Sequence, residues 1–371
     1  GDPGNGPAPV PFRFVAANEH PDHDTIAAFR RRFLKEIETL FVKILLLARE
    51  MGLMKLGMVA LDGTKIHANA SKRSALSYEH AGKIEAQSKA EVAELLAKAE
   101  AADQADLADG MSIPEARREE RLKKIAEAKE KIEARAKERY ERELAEHRAK
   151  LAARAAKEKA TGKKPGGKPP APPAEGPLPG DQINLTDEES RIMPVSGGGF
   201  EQGYNAQAVV AEGSLLVVAS DVTQAPNDKR ELEPMLAKTR ALPEELGKAE
   251  TMLADAGYFS EANVSARLGI EPLIAPGRER HHPSLSERFA GAPPAPEHPT
   301  PVEAMAHRLQ TPEGKALYAK RKCTPEPVFG IIKPVLGFRQ FLLRGLENVR
   351  GERSLLAMAW NVKRMFALKA A

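Results

Sequence analysis

The chain has 371 residues, of which 42% are hydrophobic and only 5% are aromatic. At about 150 residues per domain, this length predicts two domains, or one domain that carries a large insert. The single cysteine, Cys323, excludes a disulfide framework and a cysteine-based zinc site. The sequence shows no apolar run of the ~18 residues that a membrane span needs and no signal peptide, so we expect a cytoplasmic protein without membrane contact.

The formal net charge of +4 is distributed unevenly along the chain. Residues 315–371 contain twelve Lys and Arg against three Glu, whereas the remaining residues are net acidic. A basic segment of this density favours a polyanionic partner, and nucleic acid is the commonest one. A solubilising basic helix explains the same charge equally well, so the composition leaves both interpretations open.

The composition and the hydrophobic pattern change several times along the first half of the chain. Helical spacing of apolar residues follows a Gly/Pro-rich start, and we assign residues 1–50 to the end of an N-terminal helical region. Residues 56–62 indicate a short buried strand that ends in Asp62, with a strand edge continuing beyond it. Residues 79–160 are rich in Ala, Glu, Lys and Arg with a thin apolar stripe, which predicts a helical hairpin, an antiparallel coiled coil. A Pro/Gly-rich linker follows over residues 161–180.

The second half alternates strands and helices. Residues 204–210 and 215–222 predict the two strands of a hairpin, and a further short strand ends in Asp255. Together with the first strand, this order is that of an RNase H-like α/β fold, a mixed central sheet with flanking helices. We assign residues 51–78 and 181–371 to this domain, with the long helical hairpin as an insert.

Three acidic residues are candidates for chemistry. Asp62 and Asp255 each end a short apolar strand, and Glu326 lies where a helix can begin with Thr324 as its N-cap. Each position taken singly is typical of an ordinary turn or helix start. In the RNase H-like fold the first and fourth strands are adjacent, so the two aspartates become neighbours and a helix brings the glutamate to the same edge.

Three clustered carboxylates repel one another unless a cation joins them. Hard oxygen ligands suit Mg²⁺, with Mn²⁺ as an alternative, and three carboxylates provide enough ligands for two ions. Asn205 and Gln207 alternate with apolar neighbours on their strand, so they either border such a site or are simply exposed. Lys65 and His67 lie just beyond Asp62, where nucleic-acid contact and surface filling are both open.

The chain resembles the DDE transposases of bacterial insertion sequences, in the branch with a Tyr-Arg-Glu-Lys signature. The similarity lies in seven segments of the sequence, 21–33, 59–71, 199–210, 220–232, 252–264, 321–333 and 337–366. This resemblance implies that Asp62, Asp255 and Glu326 are a catalytic, metal-binding triad for Mg²⁺-dependent DNA transposition. Water would first attack a phosphodiester at the element's end, and the freed 3′-hydroxyl would then attack target DNA.

By the same resemblance, Tyr318, Arg321 and Lys333 match the signature around the third acid. We predict six DNA contacts in all, at Lys65, His67, Tyr318, Arg321, Lys333 and Arg339. Lys333 is also explained as an ordinary exposed lysine, because the proline that follows it disfavours helical geometry there. The chain departs from the family pattern at Arg353, where we expect an aromatic residue.

These observations predict a transposase that acts on double-stranded DNA, both transposon ends and target. We expect a bacterial, nucleoid-associated homo-oligomer in which the helical insert contributes to dimerisation or DNA contact. Two alternatives stay open. One is a degenerate or truncated relative that binds DNA without transposing it, and the other is a simple metal-dependent nuclease on the same fold.

Overall fold

The computed structural model describes residues 25, 28–29, 32–103, 112–195, 198–266, 269–277 and 293–370. The coil and the helix start predicted before residue 25 lie outside these residues. The chain divides into two compact units. The sheet unit comprises residues 1–68, 193–198 and 203–371, and the helical unit comprises residues 69–192 and 199–202. None of the described helices combines the length and the apolarity that a bilayer span requires.

The helices and strands alternate along much of the chain. In chain order they are α1 (Leu34–Glu50), β1 (Met58–His67), β2 (Ala75–Ser77), α2 (Tyr78–Asp103), α3 (Ser112–Thr161), β3 (Gln182–Asn184), β4 (Arg191–Pro194), β5 (Phe200–Ala211), β6 (Val217–Thr223), α4 (Leu232–Arg240), β7 (Thr251–Ala254), α5 (Glu261–Ser265), β8 (Glu271–Ile274), α6 (Pro301–Gln310), α7 (Pro312–Ala319), α8 (Pro325–Ile332) and α9 (Leu346–Ala370).

In the described part of the chain, six strands form a mixed sheet in the order β4-β5-β1-β7-β8, with β6 also paired to β5. The hairpin predicted after the linker is confirmed, since β5 and β6 pair antiparallel. Strand β1 lies in the middle, antiparallel to β5 and parallel to β7. The adjacency predicted for the strands that carry Asp62 and Asp255 is therefore confirmed, and the topology is compatible with an RNase H-like fold.

The continuation of the first strand beyond Asp62, predicted from the sequence, is confirmed by strand β1. It runs for ten residues, so Asp62 lies in its middle and not at its end. The reason is β5, which pairs with β1 continuously from Val59 opposite Ala211 to His67 opposite Gly203. A long antiparallel partner satisfies the backbone of β1 beyond the acidic residue, and the chain does not need to turn there.

Helix α9 covers one side of the sheet unit and is fixed to β6 by side-chain hydrogen bonds. The Asn361 amide accepts from the backbone N–H of Val217 and donates to its carbonyl, both at 2.8 Å. The Trp360 indole donates to the Leu215 carbonyl at 2.8 Å. These contacts satisfy backbone groups at the β6 edge that would otherwise be buried without a partner.

The helical unit is built on a two-stranded sheet of β2 and β3. The predicted apolar stripe of α3 is buried there against both strands and α2, in a small core of Leu76, Ala81, Ile125, Ala128, Ile132 and Ile183. Helix α3 has 50 residues, which at about 1.5 Å per residue gives a length of about 75 Å. Its last third extends beyond this core, and the Pro/Gly-rich segment 162–180 runs back along it, held by a bond from Arg139 to the Gly176 carbonyl at 3.0 Å.

Candidate active site

Among the described carboxyl groups of the sheet unit, Asp62 has the most strongly shifted pKa. Its side chain is half-buried on the central strand and accepts a hydrogen bond from the Gly63 N–H at 2.8 Å. Burial, followed by the negative charge of Asp255, raises the pKa of Asp62 to about 7. The nearby Arg321 guanidinium acts in the opposite direction and lowers this pKa, as does the Gly63 N–H. Asp62 and Asp255 therefore lie close enough to repel each other.

Asp255 reaches this position because β7 runs parallel to β1 and ends directly before it. Its carboxylate accepts from the Gly257 N–H at 2.8 Å and so begins the short turn Ala256–Tyr258. A Cβ atom on Gly257 would lie only 2.9 Å from that same carboxylate oxygen. The glycine thus leaves room for the acidic side chain to fold back over the end of its strand.

A third carboxylate, Asp228, lies at the same place and was missed by the sequence analysis. It follows β6 in a loop, and one of its oxygens accepts from the Asn205 amide at 2.6 Å, the Gln207 amide at 2.8 Å and the Lys65 ammonium at 3.3 Å. A Cβ atom on Gly63 would lie 2.7 Å from the same oxygen. Only glycine at the position after Asp62 therefore lets this loop approach so closely.

The two amides are buried parts of the site, which corrects the view that they are simply exposed. Asn205 and Gln207 both have no exposed surface. The Tyr258 hydroxyl donates to the Gln207 carbonyl oxygen, which fixes the amide so that its NH₂ group faces Asp228. Burial and four neighbouring carboxylates raise the pKa of Tyr258, so its hydroxyl stays protonated as a donor.

Glu326 lies to one side of this cluster. It occupies the first turn of α8, its side chain is 53% exposed, and it pairs with Arg321 at 3.3 Å. Because Arg321 also faces Asp62 electrostatically, it links the two acids. In the described part of the chain, no three His, Cys, Asp or Glu side chains are arranged to hold a metal ion. The structure thus brings Asp62 and Asp255 together and attaches Glu326 through an arginine.

The local start of α8 differs from the prediction. The side chain of Thr324 makes no capping bond to the helix, and its hydroxyl donates backwards to the Lys320 carbonyl at 2.7 Å. Serine and threonine hydroxyls compete for nearby carbonyls in this way. The preceding turn Lys320–Cys323 therefore continues directly into α8, and this continuity sets the position of Arg321 beside Glu326.

Lys333 extends from the end of α8 to the central strand and is half-buried, which rules out the interpretation as an ordinary exposed lysine. Its ammonium group donates to the Thr64 hydroxyl and to the Lys65 carbonyl, the latter at 3.1 Å. Burial and the positive charge of Arg353 lower the pKa of Lys333, whereas the charge of Asp62 raises it. A cation is thus held within electrostatic range of the acidic cluster.

A cleft of about 440 Å³ opens beside these residues. Four of the six predicted DNA contacts line it, namely Lys65, His67, Lys333 and Arg339, and Asp228 lies in its wall. Tyr318 is not among the residues that line it, since its side chain is 9% exposed and belongs to the hydrophobic core. Arg321 lies instead beside Asp62 and Glu326.

Residues 295–366 match a protein-family model described as Transposase DDE domain. The predicted resemblance to DDE transposases is confirmed over these residues, and the Tyr-Arg-Glu-Lys branch stays a prediction. The match begins before α6 and ends within α9, so it includes Glu326 together with Tyr318, Arg321, Lys333 and Arg339. Asp62 and Asp255 lie outside the matched residues. No curated protein and no solved structure matches the chain.

DDE transposase domains generally use divalent metal ions. The acidic cluster fits this requirement in its donor chemistry, because carboxylate oxygens are the ligands that Mg²⁺ prefers. Burial, followed by repulsion from Asp255, raises the pKa of Asp62, and a bound cation would offset both effects. The exposed Glu326 is the residue whose position fits least, since its carboxylate is engaged by Arg321.

Proposed function

We propose that the protein is a DNA transposase of the insertion-sequence type, in the Tyr-Arg-Glu-Lys branch. It hydrolyses a phosphodiester at the element's ends and joins the freed 3′-hydroxyl to target DNA. The observation that carries this proposal is the pair of repelling aspartates, Asp62 and Asp255, on adjacent strands beside a basic cleft. The match of the C-terminal part to a transposase DDE domain supports the same reaction class.

In this proposal Asp62, Asp255 and Glu326 hold two divalent cations, Mg²⁺ or Mn²⁺. When bound, such ions supply positive charge that stabilises the negative charge developing on phosphate oxygens. Arg321 holds Glu326 on the side of the cluster that faces Asp62. The buried amides hold Asp228 in place, so that the charge facing Asp62 is fixed before substrate arrives.

The basic residues of the cleft bind the DNA backbone. Lys65, His67, Lys333 and Arg339 line one face; the two lysines and the arginine present cations to phosphates, and the His67 imidazole presents a hydrogen-bonding group, without reading bases. Lys333 is oriented by its bonds to Thr64 and to the Lys65 carbonyl, so its ammonium group needs little rearrangement to contact a phosphate. Tyr318 is buried at the end of α7, directly before the turn that carries Arg321, and in this proposal it supports that turn without contacting DNA.

One observation favours a second candidate, a relative that binds DNA without cutting it. The exposed position of Glu326 leaves only two of the three family carboxylates adjacent. In that case the cleft binds DNA in a salt-dependent manner, and no metal-dependent cleavage accompanies binding. A simple nuclease is separated from a transposase by its products, which carry free 3′-hydroxyls that are never joined to target DNA.

The decisive experiment measures nicking and strand transfer with the full chain on plasmid DNA that carries the element's ends, with and without Mg²⁺. Asp62→Asn, Asp255→Asn and Glu326→Gln should each lower the rate by about a hundredfold or more, as expected when one electrostatic group leaves a catalytic site. Glu313→Gln is the matched control, because Glu313 also occupies the first turn of a proline-initiated helix and is exposed. Activity that persists in all three variants contradicts the proposed function.

A further inference from the structure

The last third of α3 and the segment that returns along it form a defined tip of the helical unit. Helix α3 ends at Thr161, and Gly162 has a φ of +64°, the left-handed conformation that ends helices. The Arg154 guanidinium then donates to the carbonyls of residues 165–167 at 3.0 to 3.3 Å. The returning segment is therefore tied to the helix, and the side chains of both lie on one small surface.

This surface carries a dense positive charge. Residues 148–168, here called the basic tip, contain a single acid, Glu158, and eight basic residues, which are Arg148, Lys150, Arg154, Lys157, Lys159, Lys163, Lys164 and Lys168. All eight are exposed except Arg154, which is half-buried against the returning segment. The basic tip thus concentrates a charge of about +7 on a surface open to solvent.

Several lysines elsewhere in the helical unit pair with acids. Exposed ion pairs one helical turn apart join Lys83 to Glu79 and Lys89 to Glu85 at 2.6 Å, and Lys124 to Glu120 at 2.7 Å. Basic residues in the last turn of a helix offset its dipole, which explains one or two of them. Dipole compensation does not explain the lysines at positions 163, 164 and 168, because they lie beyond the helix end.

We propose that the basic tip binds the phosphate backbone of duplex DNA, independently of sequence, as a contact additional to the cleft of the sheet unit. Lysine presents a compact point charge that suits a phosphate without fixing a base. The basic tip contains no aromatic residue. It therefore lacks the stacking platform typical of single-strand binding and the aromatic anchors typical of membrane-surface helices. This inference rests on the proposed function in one respect, that DNA is the protein's substrate.

The test compares two full-length variants that lose the same charge. The tip variant carries Lys157→Gln, Lys159→Gln, Lys163→Gln and Lys164→Gln, and the control variant carries Lys83→Gln, Lys89→Gln, Lys123→Gln and Lys124→Gln. All eight lysines are exposed in the structure. Binding to a labelled duplex of about 40 base pairs and arbitrary sequence is measured in EDTA between about 50 and 200 mM salt, and circular dichroism verifies folding.

The tip variant should bind at least about tenfold more weakly at the lowest salt. Its plot of log affinity against log salt should be shallower by up to about 3.6, since each of the four lost phosphate contacts removes about 0.9 from the slope. The control variant should stay within about twofold of the parent chain. Equal affinities and slopes for the two variants would overturn the proposal, as would loss of binding to phosphatidylserine vesicles with unchanged DNA binding.

Because binding is measured without metal, the result does not depend on cleavage. If the parent chain never cuts DNA, but the tip variant shows weaker binding and a shallower slope of log affinity against log salt, the proposed function is overturned and the inference is supported. If the parent chain cuts DNA, and the tip and control variants bind DNA with equal affinity and salt slope, the proposed function is supported and the inference about the basic tip is overturned.

Discussion

The fold disfavours the charged form of the Asp62 carboxyl group. Its pKa is raised from 3.8 to about 7, first by burial and then by the negative charge of Asp255. The folded chain therefore binds a proton at pH values where the unfolded chain has released it. Under that linkage, the free energy of unfolding decreases as the pH rises from about 4 to about 7, and the loss is complete above this range.

Asp62→Asn should remove this dependence. In EDTA the variant should be more stable than the parent chain at pH 8, by a few kcal/mol at about 1.4 kcal/mol per unit of pKa shift. The two chains should converge as the pH approaches 4, because both then carry a neutral side chain. Urea unfolding at a series of pH values measures the difference. A constant difference across the series would show that Asp62 is not strained in this way.

At the residue scale, the sequence predicted part of the acidic cluster. Asp62 and Asp255 are predictable because an apolar run followed by an acidic residue is a local pattern of the sequence. Asp228 is not, since Asn-Asp-Lys after a strand is typical of a surface loop. Its role depends on two amides about twenty residues away, which bind it only after β5 and β6 have paired.

At the scale of elements, α9 carries two adjacent buried charged residues, and only the acidic side chain has hydrogen-bond partners among the described residues. The Glu352 carboxylate accepts from the backbone N–H groups of Leu342 and Leu343 at 3.0 to 3.1 Å and so holds the loop before the helix. Its neighbour Arg353 is fully buried, and its guanidinium lies 5.6 Å from the centre of the Phe329 ring. In the described residues its three side-chain nitrogens have no hydrogen-bond partner, and burial lowers its pKa to about 10.

Arg353→Met should therefore stabilise the chain. Replacing a buried, unpaired charge by an apolar side chain of similar length should raise the free energy of unfolding by about 1–3 kcal/mol. Arg350→Met is the matched control on the same helix, because Arg350 is exposed and paired with Asp221 at 2.9 Å; the control should be neutral or slightly destabilising. Urea unfolding measures both. If Arg353→Met destabilises the chain by more than about 1 kcal/mol, Arg353 has a partner and a structural role.

The elements themselves were predictable to different degrees. The α3 stripe and the strand hairpin follow from periodicity, which depends on residues a few positions apart. The full length of β1 depends on its partner β5, more than a hundred residues later. The path of the Pro/Gly-rich segment 162–180 along α3 depends on arginine contacts to backbone carbonyls. Every residue has such a carbonyl, so the sequence does not show which ones an arginine contacts.

At the scale of the whole molecule, the candidate site gathers residues that lie far apart in the sheet unit's sequence, from Asp62 to Lys333. Strand order alone predicts that Asp62 and Asp255 become neighbours, because β7 runs parallel to the first half of β1 and ends beside it. The orientation of Glu326 is a side-chain property of α8, set by its pairing with Arg321. The sequence therefore predicts which acids share an edge but not which of them face one another.

The most direct measurement is the binding of Mn²⁺ to the metal-free chain, followed by electron paramagnetic resonance. The parent chain should bind Mn²⁺, and Asp62→Asn and Asp255→Asn should each weaken binding by about tenfold or more. The Glu313→Gln control should bind as the parent does. If both aspartate variants retain the parent's affinity, the acidic cluster is not a cation site and the proposed chemistry is contradicted.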